Sequence, residues 1–143
     1  MGKKTKIPNP RTGSTIFASL PDIGNLSSPH CVHGGDIFLL EGDSWDKNGD
    51  KRGYGLAHIA DKHGAELAAE GYVSREHLIK YVDEILQPGA TVYVDAGNPI
   101  ILTSALGMVV LEYKFSYDIG NWYSVVTAYK KRKYQGALIG TWA

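Results

Sequence analysis

Gly53-Tyr-Gly-Leu-Ala-His-Ile-Ala-Asp-Lys-His-Gly64 places two histidines and a lysine in one short stretch whose pattern predicts a helix over residues 54–62. Gly64 is its expected stop, because glycine readily takes the left-handed backbone that ends a helix. His58 and Lys62 are four apart and share a helix face. His63 is five from His58, which swings it around a regular helix. It sits just before Gly64, however, where the helix is expected to unwind, so both imidazoles are expected to reach one cleft.

The residues on either side set the fold class. Residues 65–69 continue the helical path after a break. Ser74 is the expected N-cap of a second helix running to Leu86, with Leu78, Tyr81, Val82, Ile85 and Leu86 as its apolar stripe. Gln87-Pro88-Gly89 ends it. The tail then changes period. Residues 91–95, 100–104, 108–115 and 122–130 are rich in Val, Ile, Thr and aromatics, and turn-forming residues separate them. Short connections between successive strands imply an antiparallel meander. Helices followed by consecutive strands give an α+β class. Upstream, residues 36–41 are an expected strand and residues 42–50 a polar loop. Residues 1–35, rich in proline and glycine, are expected to be an irregular N-terminal arm on a single domain of residues 36–143.

Composition removes several function classes. The chain has 15 basic and 15 acidic side chains, so any affinity for nucleic acid has to come from local clusters. A single cysteine, Cys31, excludes an intramolecular disulfide framework. No apolar run is long enough to cross a bilayer, so no membrane insertion by this domain is expected. The basic start lacks the apolar stretch of a signal peptide.

Trp122-Tyr-Ser-Val-Val-Thr-Ala-Tyr-Lys-Lys-Arg-Lys133 is the second segment with chemistry in it. Strand alternation puts Val125, Thr127 and Tyr129 on one side and Val126, Ala128 and Lys130 on the other. If Val126 and Ala128 meet the helices, the hydroxyls of Thr127 and Tyr129 lie on the open face. The same two residues also suit a strand by β-propensity alone. Lys130, Lys131, Arg132 and Lys133 form a cationic run flanked by Tyr129 and Tyr134, suited to phosphates and stacked bases. A lysine-protected edge strand has the same composition. His30-Cys31-Val32-His33 has metal-capable side chains but no second cluster at ligand spacing, so no metal is expected. Asp46-Lys-Asn-Gly-Asp50 lacks the glycine position and the glutamate of a calcium loop and is expected to be a turn. His77 borders an apolar stripe and is expected to be structural. The glycines fit neither a phosphate loop nor a dinucleotide fingerprint, and no cofactor is implied.

Gly-Leu-Ala-His-Ile-Ala-Asp-Lys-His-Gly at 55–64, followed by a helix, a meander and Val-Val-Thr-Ala-Tyr at 125–129, resembles the barnase–EndoU–colicin–RelE-like nucleases. The resemblance spans residues 36–134 and is closest to the toxin and phage branches. It implies a ribonuclease fold with N-terminal helices packed on a twisted four- to five-stranded antiparallel sheet. Colicin D-like members pair a helical Lys and His with a hydroxyl-x-aromatic pair on a strand. Lys62 with His58 or His63, and Thr127 with Tyr129, match that pattern in type. Which histidine acts stays open, because the spacing here is His-x-x-x-Lys-His.

That resemblance implies a metal-independent endoribonuclease toxin acting on tRNA. The RNA's own 2′-hydroxyl would attack phosphorus, leaving 2′,3′-cyclic phosphate and 5′-hydroxyl ends. One group removes the 2′ proton, another protonates the leaving oxygen, and donors stabilise the added phosphate charge. His58 and His63 suit the proton transfers, Lys62 or Lys130 the charge, and Thr127 and Tyr129 the phosphate and base. The same branch implies a cell-surface or secreted carrier of the contact-dependent growth inhibition type, action in the target cell's cytoplasm, and a cognate immunity protein. The alternative is a non-catalytic RNA-binding or protein-interaction module, which needs the basic strand but neither histidine.

Overall fold

Alternating apolar residues with turns between them fold the tail into a meander, as expected, but that meander is only part of a larger sheet. In a computed structural model that describes residues 2–28, 31–94, 99–130 and 136–142, the elements run in the following order. Six strands come first: β1 (Ile16–Leu20), β2 (Ile23–Gly24), β3 (Cys31–Val32), β4 (Gly35–Phe38), β5 (Asp43–Lys47) and β6 (Asp50–Tyr54). Two helices follow, α1 (Gly55–Ala68) and α2 (Arg75–Ile85). The remaining strands are β7 (Thr91–Val94), β8 (Pro99–Thr103), β9 (Met108–Ser116), β10 (Gly120–Tyr129) and β11 (Ala137–Thr141).

The main sheet has seven strands in the order β1-β4-β10-β9-β8-β7-β11. This corrects the expected α+β arrangement of N-terminal helices packed on a twisted four- to five-stranded antiparallel sheet: the regular structure of the described chain is mostly strand, six strands precede the two helices, and the sheet is mixed. The meander β7–β10 is antiparallel throughout. β4, however, lies parallel to β10, with Trp122 opposite Asp36 and Ser124 opposite Phe38. A parallel neighbour needs a long crossover, and the chain between β4 and β10, helices included, supplies it. Such a partner leaves no mark in the local pattern of either strand. β2 follows directly on the edge strand β1 yet packs on β11 at the opposite edge, so the sheet curls.

Residues 1–35, read from sequence as an irregular arm, contribute β1, β2, β3 and the start of β4. Ile7, Phe17, Leu20, Ile23 and Val32 from this segment are buried in the same cluster as Ile59, Leu67, Tyr81, Val82, Leu102, Val109, Leu111 and Val125. Removing such side chains from water is the main stabilising contribution, about 1.5–3 kcal/mol for each large one fully buried.

α2 matches its sequence signals closely. Ser74 is extended at the N-cap and its hydroxyl accepts the backbone N–H of His77. Leu78, Tyr81, Val82 and Ile85 are buried along one stripe. His77 also accepts from the backbone N–H of Val73 through Nδ1, a local structural role. We expect Ser74→Ala to destabilise the protein by about 1 kcal/mol, the usual effect of a lost N-cap. Urea unfolding should show a lower midpoint with an unchanged slope.

Candidate active site

α1 begins where the extended chain leaves the β5–β6 hairpin. The backbone N–H groups of Leu56 and Ala57, which have no helical partners, donate to the carbonyls of Leu40 and Glu41. The helix does not stop at Gly64, as expected from sequence, but runs through it to Ala68. Its stop is Gly71, at φ 96°, where the N–H groups of Gly71 and Tyr72 donate to Ala68 and Leu67. Gly64 stays helical because the left-handed stop, Gly71, lies about two turns later. His58 and His63 therefore sit on different flanks of a regular helix, about 140° apart at 3.6 residues per turn.

His58 is buried, 4% exposed, against the β5–β6 hairpin. Its Nδ1 lies 3.3 Å from Ser44 Oγ, and that hydroxyl also lies 2.7 Å from Asp61 Oδ2. Ser44 has one proton, and the shorter contact to a carboxylate takes it. The network then assigns the His58 proton to Nδ1, donating to Ser44, and leaves Nε2 as the lone-pair nitrogen. Burial lowers the His58 pKa below its ordinary 6.5, and the positive neighbours Lys62 and His63 push it the same way. Asp61 and a hydrogen bond to the Arg52 backbone oppose them. Asp61 is itself held ionised by the Ser44 hydroxyl and then by Lys51, 3.4 Å away. Gly53 covers this group from the hairpin. Its φ is 149°, and a Cβ there would overlap the Asp43 carbonyl and lie 3.0 Å from His58 Nδ1.

His63 faces another set of groups. Its ring stacks on Tyr129, centroids 4.8 Å apart at 17°, and Nδ1 lies 2.5 Å from Glu66 Oε1. Burial, then the charge of Glu66, raises the Tyr129 pKa and keeps its hydroxyl protonated. Lys62 is exposed. Lys130 pairs with Glu70 at 2.8 Å, so part of its charge is already answered. Lys131, Arg132 and Lys133 lie outside the described residues.

Thr127 and Tyr129 owe their placement to a feature that simple alternation misses. Val125 pairs with Leu111 and Thr127 with Val110, so Val126 is an extra residue, a β-bulge. Tyr123 and Val125 point into the core before the bulge, and Ala128 does so after it. The expected alternation is therefore reset at Val126: Val125 does not share a face with Thr127, whereas Thr127 and Tyr129 lie opposite Ala128. Thr127 is buried, and its Oγ1 has no hydrogen-bond partner among the described residues. A buried hydroxyl without a partner costs about 1–3 kcal/mol.

Beside the bulge lies a cleft of about 510 Å3. Val126, Trp122 and Ser124 of β10 form its floor, Gly53, Tyr54 and Trp45 of the hairpin one wall, and Lys4, Lys6, Glu112 and Lys114 its rim. A family model described as phage-Barnase-EndoU-ColicinE5/D-RelE like nuclease1 matches residues 32–135, the stretch that holds α1, the hairpin and the whole of β10. The chain belongs to this nuclease family. No curated protein and no solved structure matches the chain.

Membership of the nuclease family implies a nucleic acid substrate, and the cleft has the cations and aromatics such a substrate meets. Ser44 and Asp61 beside His58, and Trp45, Lys4, Lys6 and Trp122 at the cleft, were not singled out as candidates in the sequence. One signal was available: Asn48-Gly49, flanked by β5 and β6, is the commonest short hairpin turn, and both residues have positive φ here, 52° and 84°. Reading that turn would have replaced the polar loop by a hairpin and brought Ser44 back toward residues 50–58. Among the described residues, no group of three or more His, Cys, Asp or Glu side chains is arranged to hold a metal ion, and no helix is long and apolar enough to cross a membrane. Cys31 Sγ lies 3.9 Å from His33 Nε2 at the far end of β10.

Proposed function

We propose that this nuclease is a metal-independent endoribonuclease whose site lies between α1, the β5–β6 hairpin and the bulged end of β10. The observation that carries the reading is His58, buried and biased to its neutral form, with Ser44 and Asp61 orienting it. In the proposed reaction a histidine nitrogen takes the proton of the RNA 2′-hydroxyl, that oxygen bonds to phosphorus, and the 5′-oxygen leaves with a proton from a second acid. His58 Nε2 acts as base and His63 as acid; Lys62 and the unpartnered Thr127 hydroxyl stabilise phosphate charge, and Tyr129 orients it. His58 lies under the β5–β6 ribbon, a two-stranded element outside the main sheet, so its action as base requires that ribbon to move aside.

Transfer RNA is the proposed substrate, and a delivered toxin with a cognate immunity protein the proposed setting. Both rest on the resemblance of residues 55–64 and 125–129 to the toxin branches. Purified protein free of any partner should cut bacterial tRNA in the presence of EDTA and leave 2′,3′-cyclic phosphate ends. Intact RNA from a folded sample would sink the reading and favour a binding module. Expression without an inhibitor should arrest bacterial growth; unimpaired growth with active enzyme present would remove the toxin setting.

Thr127→Val gives a sharper check on the site. Valine keeps the shape and removes the unpartnered hydroxyl, so thermal stability should hold or rise. Cleavage should fall about 10²-fold if that hydroxyl donates to the reacting phosphate. Equal activity in wild type and variant would remove Thr127 from the mechanism.

A further inference from the structure

Lys4 and Lys6 lie outside the stretch matched by the family model, yet they line the cleft. The chain there is pinned by three backbone hydrogen bonds: Gly42 N–H to Lys3 O, Glu41 N–H to Thr5 O and Ile7 N–H to Leu39 O. A turn closed by the Thr5 N–H on the Gly2 carbonyl precedes Lys6, and Lys4 and Lys6 both reach the cleft. Lys6 Nζ lies 3.9 Å over the Phe38 ring and Lys4 Nζ 4.9 Å over the Tyr54 ring. Among the described residues neither lysine has a carboxylate partner. Lys3 is occupied by Asp43, and Lys114 by Glu112 at 2.5 Å. The uncompensated positive charge of the cleft therefore comes from Lys4 and Lys6.

The cleft also offers flat surfaces. Trp45 is 47% exposed on the hairpin and lines the cleft, so part of its indole is open to solvent there. Trp122 is half-buried on the floor, its Nε1 donating to Ser116 Oγ, which fixes its plane. Two cations on one rim and indoles on the wall and floor suit a strand whose phosphates and base faces are available together. A duplex hides its base faces in the stack and an unpaired strand does not.

We propose that this cleft is the groove for an unpaired RNA strand, with Lys4 and Lys6 on its phosphates and Trp45 and Trp122 against its bases. The proposal rests on the endoribonuclease reading and narrows its substrate to single-stranded regions such as loops. The N-terminal segment thus extends the site beyond the family's common region.

The test uses the whole chain and a fluorescently labelled, unstructured 12-nucleotide 2′-O-methyl RNA, which binds but lacks the nucleophile. Its affinity is measured over a range of salt against a 2′-O-methyl duplex of the same length. The single strand should bind more tightly. Lys4→Ala with Lys6→Ala should lower the slope of log affinity against log salt by about 1.4, two phosphate contacts at about 0.7 each. Trp45→Ala should weaken binding by about tenfold with little change in slope. All three side chains are exposed, so circular dichroism should match the parent. Equal or tighter binding of the duplex, or parent-like binding by both variants, overturns the proposal. Cleavage of unmodified RNA is assayed in parallel: cutting without any dependence on the cleft sinks the groove alone, and cleft-dependent binding without cutting sinks the nuclease reading alone.

Discussion

His58→Ala should leave a folded protein that cleaves RNA about 10²–10⁴-fold more slowly, the usual contribution of a general acid or base. Of the candidate groups, His58 has the most structure devoted to it. Ser44, Asp61 and the glycine at position 53 all act on its orientation or its space. Ser44→Ala should reproduce part of the loss, because the ring then loses the acceptor that fixes its tautomer. The loss should appear in kcat more than in KM, since Ser44 acts through His58. His63→Ala should also be slow if His63 is the acid. Wild-type rates from both histidine variants would dismiss the assignment altogether.

The pH dependence carries the same argument. Burial, then Lys62 and His63, lowers the His58 pKa, so its neutral form persists below the ordinary 6.5. The acid limb of kcat/KM should therefore lie below pH 6.5. Lys62→Met removes one of the cations and should move that limb upward, whatever else it does to the rate. The linkage to stability has a definite sign. A group with a lowered folded pKa binds its proton more readily when unfolded. The His58 contribution is present above pH 6.5 and is lost as pH falls through the lowered folded value.

How much of this was legible in the sequence depends on the distance over which each feature is decided. α2 and the β7–β10 meander were legible because caps, stripes and turns act within a few residues. α1 was legible in type but not in length: Gly64 looked like a stop, and only the left-handed Gly71 ends the helix. The parallel seam between β4 and β10, and the seventh strand β11 against β7, are decided by partners far along the chain. The site divides in the same way. His58, His63 and Lys62 stood together in one segment. The Ser44–Asp61 support and the cleft lysines did not, because folding alone brings residues 3–6, 44–54 and 114–126 to one place.

Asp83→Ala should be the most destabilising change outside the apolar core, by about 2–3 kcal/mol, because it orphans a buried amide. Asp83 is 6% exposed on α2 and holds the N-terminal segment from across the fold. Asn9 Nδ2 donates to Oδ1 at 2.7 Å, Arg11 Nε to Oδ2 at 2.9 Å, and Arg11 NH2 to Oδ1 at 3.1 Å. Asn9 is 1% exposed and cannot turn to water, whereas Arg11 is half-exposed and can. Arg11→Ala should therefore cost clearly less than Asp83→Ala. Asp83→Asn keeps one oxygen for Asn9 but loses the charge facing Arg11, and should fall between them. At this chain length the Asp83→Ala melting temperature should drop by roughly 6–10 °C. An unshifted melting curve would show that the network is not what fastens residues 7–14. The functional consequence follows from position. The segment fastened at Asn9 and Arg11 is the one that presents Lys4 and Lys6, so in Asp83→Ala, RNA affinity should fall at temperatures where far-UV circular dichroism is still that of the folded protein. If instead binding and fold are lost together on warming, the segment is an inseparable strand of the core rather than an anchored strap.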